Sequence, residues 1–544
     1  MTRRAIGLLT LVAVLSLGAI SAQQPAASSY QDLATLFNEW SALEKPPIAD
    51  GAPDYTATTI ANRHAALKAL QTRLEAMKPD AWPVDQQIDY TLLRAQMNGL
   101  DFYMHVLQPW VRDPAFYQSI WTEQSDTPAH EGPTHHAVID LWTYTFPLSP
   151  ADEATLTTAL RGIAPLLRQA QRNLTGNARD LWITGTGTMR QQVADLADLA
   201  KQTSGGGDAL KSAISDASAA TTRFVSWLDS QASKKVGPSG IGREQYTWSL
   251  QNVHLVPMTW EDEVVLLKRE LARAHASLKL EEQRNRGLPP LKAAATPDEY
   301  AKRANAAVTK YMAFLKDKDL LSVEDYLDPA LRVHIGGFAP EATRNFFGIA
   351  SHFEPMTLFA HFYHWFDHAW MKAKPHASAM RRGSILYNAW DNRSEGMATA
   401  MEEIILHAGY YDDNPRAREI VWIMLAQRCA RGLASLYAQA NEFDIKQAKA
   451  FQVEWTPRGW MRPDLDLLGF EQQLYLRQPG YGTSYVTGKS LIDDLIKNRA
   501  HQLGDGFTMR RFFDEFNAAG MMPVTLIKWQ MTGERYTMPA GRIQ

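Results

Sequence analysis

Apolar residues recur at helical spacing along almost the whole chain, and this periodicity restricts the fold more than any other feature of the sequence. Ser149 and Pro150 form a cap and first turn, and Leu156, Leu160, Ile163 and Leu167 follow on one face, with Pro165 expected to kink the run. Residues 189–200 predict another helix, stopped by Gly205, Gly206 and Gly207. Segments 208–230, 261–284 and 297–316 repeat the pattern, the last opened by Thr296, Pro297, Asp298 and Glu299. Alternating patterns are scarce, and the clearest, Leu331 to Ile335 before Gly336 and Gly337, predicts one short strand. The expectation is an all-α protein with few or no strands.

Arg3 and Arg4, the apolar run from Ala5 to Ile20, and the small residues Ser21 and Ala22 have the pattern of a secretory signal, too short to span a bilayer. No cysteine stands at that cleavage point to carry a lipid anchor, and no later stretch is apolar enough to cross a membrane. The chain therefore divides into a signal peptide over 1–22, an N-terminal helical part over 23–235 and a C-terminal helical part over 236–544. The glycine- and proline-rich segment 232–246 is the joint. An exported protein, periplasmic or secreted, is expected. A net charge of −3 over 544 residues gives no general attraction to nucleic acid. The single cysteine, Cys429, excludes a disulfide framework and a thiolate zinc finger, so a metal would need His, Asp or Glu.

Histidine placement points to such a site. Of 15 histidines, six lie between positions 352 and 407. On an unbroken helix, His364 and His368 share a face four residues apart, the spacing of two zinc ligands, with His361 one turn earlier. Glu395, opening a downstream helix, supplies a third ligand and leaves a fourth position for water. The same segment is rich in Phe, Tyr and Trp, which also fits a core helix with hydrogen-bonded histidines. A second group, His130, Glu131, His135 and His136, is interrupted by Gly132 and Pro133 and reads as a cleft-lining loop.

Several motifs together resemble a bacterial family known as domain of unknown function 885, grouped with zincin-like metallopeptidases. They are Glu395-Gly396 with Glu402, Arg477 to Tyr485 followed by Gly488, Phe512 to Asp514 followed by Gly520 to Pro523, Ile241 to Tyr246, and Asp113-Pro114 with Tyr117. The resemblance implies a large helical body with a deep central cleft, one zinc ion, and hydrolysis of peptides or other amides. The chain departs from the family's H-E-x-x-P-G-H motif. With its first histidine on His361, Phe362 takes the place of the glutamate, Trp365 and Phe366 replace Pro-Gly, and Asp367 takes the second histidine. On His364, the glutamate position is Trp365.

Neither aromatic can accept a proton, so a hydrolase reading needs another base, with Asp367, Glu402 and Glu131 as candidates. His364, His368 and Glu395 are the preferred ligands, His361 is an auxiliary one, and Asp367 becomes available if the helix breaks. Arg477 and Tyr485 would orient a substrate carboxylate or stabilise an oxyanion. A second reading is an inactive relative without metal, binding a small ligand or peptide in a groove lined by Trp365, Tyr481, Phe362, Phe366 and Phe513. A third is another chemistry in the same cavity.

Overall fold

A computed structural model describes residues 29–127, 130–383, 387 and 391–539. The signal segment over 1–22 lies outside them. Three helices begin the described chain: α1 (Tyr30–Glu44), α2 (Ala57–Glu75) and α3 (Val84–Phe102). The last runs on into a π-helical turn, Tyr103–Leu107. After short α4 (Pro109–Arg112) come α5 (Pro150–Arg161), α6 (Ile163–Asn173), α7 (Arg179–Gln202) and α8 (Asp208–Gln231), with α5, α6 and α7 all packing on α8. Ser149 caps α5 through Asp152 N, as its sequence implies. The break after α5 falls at Gly162. Pro165, with no N–H, leaves the Arg161 carbonyl without its helical donor, so the kink expected from the proline opens one turn upstream.

The remaining elements are α9 (Arg243–Asn252), α10 (Trp260–Arg284), α11 (Pro297–Asp317), α12 (Leu327–Arg332), α13 (Phe346–Phe353), α14 (Met356–Phe359) and α15 (Tyr363–Ala373). They are followed by α16 (Asp391–His407), α17 (Ala417–Gln439), α18 (Ile445–Trp455), α19 (Leu467–Arg477), α20 (Tyr481–Leu503), α21 (Met509–Ala518) and α22 (Val524–Thr532). Thr259 closes a capping box with Asp262 on α10, and Thr296 caps α11. Nearly every side chain of α17 is buried, because α10, α16, α18, α19 and α20 all pack around it.

Strand content among the described residues is two pairs of two-residue strands. β1 (Ile48–Ala49) and β2 (Ala52–Pro53) are antiparallel, and β3 (Ile120–Trp121) and β4 (Ile139–Asp140) are parallel. The strand expected at Leu331–Ile335 does not form. Leu327 and Leu331 are both buried, four residues apart on α12, and Val333, which a strand would place on the same face as Leu331, is 75% exposed. Helical burial wins there over a short alternation.

The joint at 232–246 docks on the end of α17. Gly240 and Gly242 lie against Gln439: Gly242 N donates to its carbonyl at 2.8 Å, and a side chain on Gly240 would meet that oxygen at 2.3 Å. One continuous cluster of buried apolar residues runs from Leu33 to Met531, across this joint.

Candidate metal centre

The aromatic segment is not one helix. Between α14 and α15 the amides of His361 and Phe362 donate three residues back, to Leu358 and Phe359, and Phe362 leaves helical geometry at ψ 21°. This tight turn puts His361 and His364, three apart, on converging directions. Their Nε2 atoms each lie 3.2 Å from one oxygen, Oε2 of Glu395 on α16. The rings stand nearly perpendicular, 5.1 Å apart at their centroids. All three residues are buried, at 6%, 0% and 1% exposure. His364 and His368 do lie four apart on unbroken α15, as the spacing implies, but the donor that joins His364 at Glu395 is His361. His368 is stacked on Trp365 and near the backbone of Asp126, and is not among the three converging ligand atoms.

Glu395 reaches this point because α16 and α20 touch backbone to backbone. A side chain on Gly396 would meet Gly488 at 2.5 Å, and one on Gly488 would meet the Asn392 carbonyl at 2.0 Å. The contact also carries Tyr481, at the start of α20, to Glu395: its hydroxyl donates to Oε1 at 2.5 Å, with Glu131 Oε1 at 2.9 Å on the other side. One phenol proton serves one carboxylate at a time. Burial, with Asp126 nearby, pushes Glu131 up to about 8, so near neutrality it keeps its own proton and leaves that of Tyr481 to Glu395. Burial also acts on His364 and Glu395. On His364 the carboxylates of Glu395, Asp126 and Asp367 outweigh it and raise the ring to about 9, while both histidines hold Glu395 well below the usual carboxylate range.

The far side of His361 is equally specified. Its Nδ1 lies 3.1 Å from Arg428 Nη2 on α17 and 3.0 Å from Glu402 Oε1, and Arg428 donates to that same oxygen at 2.6 Å. Arginine can only donate, so here Nδ1 accepts and the ring proton faces Glu395 from Nε2. An ion at Nε2 would move that proton to Nδ1, where Glu402 is within reach to accept it. Tyr485 stacks on the His361 ring at 5.8 Å, and the Arg431 guanidinium lies 3.7 Å above Tyr485 while pairing with Glu471 at 2.8 Å.

Glu131 arrives on the loop between β3 and β4, which α19 clamps from beneath. Arg477 donates to Asp113 and to the Pro133 carbonyl, both at 2.7 Å, and Gln478 accepts from Gly132 N at 2.7 Å. Gln478 also donates to Asp391, which burial and the Glu395 charge push up to about 7. Of the loop's histidines, His130 lies against Trp121 and Asp140, and His135 is buried on Ser119. Neither joins the cluster.

The other residues singled out from sequence are engaged elsewhere. Asp367, a candidate base or ligand, forms a buried ion pair with Arg393 at 2.5 Å. Arg477 has its guanidinium committed to Asp113 and Pro133, so it holds the loop and is not free for a substrate. Trp365 is sandwiched between His334 and His368, and Phe513 is fully buried on Tyr363, so these aromatics line no groove. The expected deep cleft is closed at the cluster: beside the loop, a cavity of about 50 Å³ reaches Arg477 and Gln478. Arg428, Arg431 and Asp126 escaped the sequence reading. The two arginines, three apart within the apolar run of α17, were its one visible signal of a buried polar face.

The profile of a family described as "Bacterial protein of unknown function (DUF885)" matches residues 41–325. That range includes Asp113, Glu131 and the joint but ends before the histidine cluster. Two solved structures share the fold. One, "a putative lipoprotein of unknown function" from Shewanella oneidensis, has 16% identity and a TM-score of 0.68, and the alignment covers 93% of this chain and 100% of that one. The other, also named a lipoprotein, from Colwellia psychrerythraea, has 14% identity and a TM-score of 0.63, covering 93% and 99%. No curated protein matches the sequence.

Proposed function

The chain belongs to the bacterial DUF885 family, and on that premise we propose that it is an exported metal-dependent hydrolase of peptide or other amide bonds, with His361, His364 and Glu395 holding one zinc ion. The observation that carries this reading is the approach of two imidazole nitrogens to one carboxylate oxygen at 3.2 Å each. Donors about 2.1 Å from a shared tetrahedral zinc stand about 3.4 Å from one another, close to the two nitrogen–oxygen distances here, and all three atoms fall within 4.8 Å of one another. The donor chemistry agrees, and Glu402 on His361 Nδ1 is the outer partner that ligating histidines characteristically have. Export is supported by the segment ending at Ala22 and by the names of the two structural neighbours.

A zinc ion so held supplies Lewis-acid polarisation and an acidified water. The chain's own contribution starts with Glu131. Phe362 stands where the family places its glutamate, so proton transfer falls to Glu131, connected to Glu395 through the Tyr481 hydroxyl. Glu131 holds its proton near neutrality and would give it to the leaving amine and regain one from the attacking water. Tyr481 positions that carboxyl, its oxygen accepting from Glu131 while its own proton goes to Glu395. Tyr485 and Arg431 fix the plane of the His361 ring. Substrate entry requires the loop bearing Glu131 to lift.

The closed cluster and Phe362 favour one alternative, a protein that binds metal but is catalytically inert. Elemental analysis of protein purified without a nickel column, beside a His361→Ala/His364→Ala variant, tests the metal. The wild type should hold one equivalent of zinc more than the variant, and a wild type that holds no more than the variant, even after loading, overturns the proposal. Peptide-library cleavage by the loaded protein then separates the two readings. Glu131→Gln should lower the rate about 10²–10⁴-fold with the metal retained, and no cleavage at all leaves the inert reading.

A further inference from the structure

A second convergence of ligand-type side chains lies away from this cluster, and we infer that His64, Asp101 and His105 form a separate, solvent-open site for a divalent transition-metal ion. His64 is on α2, Asp101 on the last turn of α3, and His105 in the π-helical turn that extends it. Oδ1 of Asp101 lies 3.3 Å from His64 Nε2 and 2.8 Å from His105 Nδ1, and all three donor atoms fall within 4.8 Å of one another. The two rings meet edge to face at 4.1 Å.

Hydrogen bonding accounts for His105, whose Nδ1 meets Oδ1 and the backbone carbonyl of Asp101 at 2.8 and 3.1 Å, but not for His64. His64 Nε2 is buried within contact distance of Asp101, yet no aligned hydrogen bond forms between them. A buried imidazole nitrogen with no hydrogen bond, 3.3 Å from a carboxylate oxygen, is spaced as two ligands sharing an ion are. The π turn is a second, independent sign, since such an inserted residue commonly marks a functional site, and here it carries His105. Lys68 pairs with the other oxygen of Asp101, which orients the carboxylate and leaves Oδ1 to the imidazoles. Two imidazoles and one carboxylate oxygen suit zinc, copper, nickel or cobalt, whereas calcium and magnesium prefer oxygen alone. Both rings are partly exposed, so water can complete the coordination. Lys68, Arg94 and Asp101 also line an adjoining cavity of about 360 Å³, which gives access from solvent.

The test is calorimetric titration of the chelator-stripped full chain with zinc and, separately, with copper(II), with folding followed by circular dichroism. On the His361→Ala/His364→Ala background the buried cluster is silenced, so one equivalent bound there belongs to the surface trio. Adding His64→Ala/His105→Ala should weaken that binding at least 100-fold without changing the helical signal. Lys68→Met, which frees the second carboxylate oxygen, should tighten it several-fold. Binding on this background that is unchanged by His64→Ala/His105→Ala overturns the inference, as does the absence of any binding. In the otherwise native chain, loss of one equivalent through His64→Ala/His105→Ala alone supports the trio even if the buried cluster holds no zinc, so the two proposals fail separately.

Discussion

His361 is held on three sides: Glu402 at Nδ1, Tyr485 across its face and Glu395 at Nε2. With an ion on Nε2 the ring proton must sit on Nδ1, and the carboxylate of Glu402 is the acceptor within reach of it. Glu402→Gln keeps the size of the side chain and a carbonyl for Arg428 but no longer fixes the Nδ1 proton. Zinc affinity should fall about 10–100-fold, the usual effect of losing an outer partner, measured by competition with a chromophoric chelator. An affinity within twofold of wild type would separate Glu402 from the ion. Part of this site was legible in the residue string. His361, His364, Glu395 and Glu402 were named from helical spacing and family resemblance, with His368 as the expected partner of His364 and His361 as an auxiliary. The turn at Ala360–Phe362, which swings His361 in beside His364, has neither Pro nor Gly to announce it, so no local signal showed which histidine would join His364 at Glu395.

Elements bring these residues together, and Gly488 is where two of them touch. Its Cα faces the Asn392 carbonyl so closely that a methyl group would overlap it at 2.0 Å. Gly488→Ala must push α20 from α16, separating Tyr481 from Glu395. Overpacking of this kind destabilises by about 1–3 kcal/mol, and here it should also reduce zinc affinity, whereas a glycine-to-alanine change at open Gly187 should do neither. Denaturant melts with metal titrations would show both.

A second junction is electrostatic. Glu263 on α10 accepts from Tyr246 of α9 at 2.6 Å and from Thr487 of α20 at 2.7 Å, and burial pushes it up to about 7. Between about 4.5 and 7 the folded chain holds a proton that the unfolded chain releases, so this group's contribution to stability declines as pH rises through that window. Relative to wild type, Glu263→Gln should therefore gain stability from pH 4.5 to 7, by a few kcal/mol at most, and the difference should be flat above pH 8. A pH-independent difference would show that Glu263 titrates normally. Helix starts such as Ser149 and Thr296 were readable because capping is local. The misread strand at 331–335 was not, because two buried leucines belong to a tertiary contact that five residues cannot display.

At the scale of the molecule, the centre is built from both ends of the chain. Residues 41–325, the part that matches the family profile, supply Glu131 on its loop, and the later helices supply the histidines and Glu395. Arg477 joins the two, pairing with buried Asp113 and holding the Pro133 carbonyl. A side chain with every contact inside the protein acts through position, so its removal should release the loop before it disturbs the ion. Arg477→Met leaves Asp113 buried without its cation, a loss of about 3–5 kcal/mol for a pair of this kind. Amide exchange over residues 130–136 should accelerate at least tenfold, zinc affinity should stay within a few-fold of wild type, and hydrolysis should fall as far as in Glu131→Gln. The combination matters, because a substrate-binding arginine would raise KM while the loop stayed protected. If exchange in the loop is unchanged while KM rises, Arg477 meets the substrate after all, and the clamp between the two parts of the chain lies elsewhere.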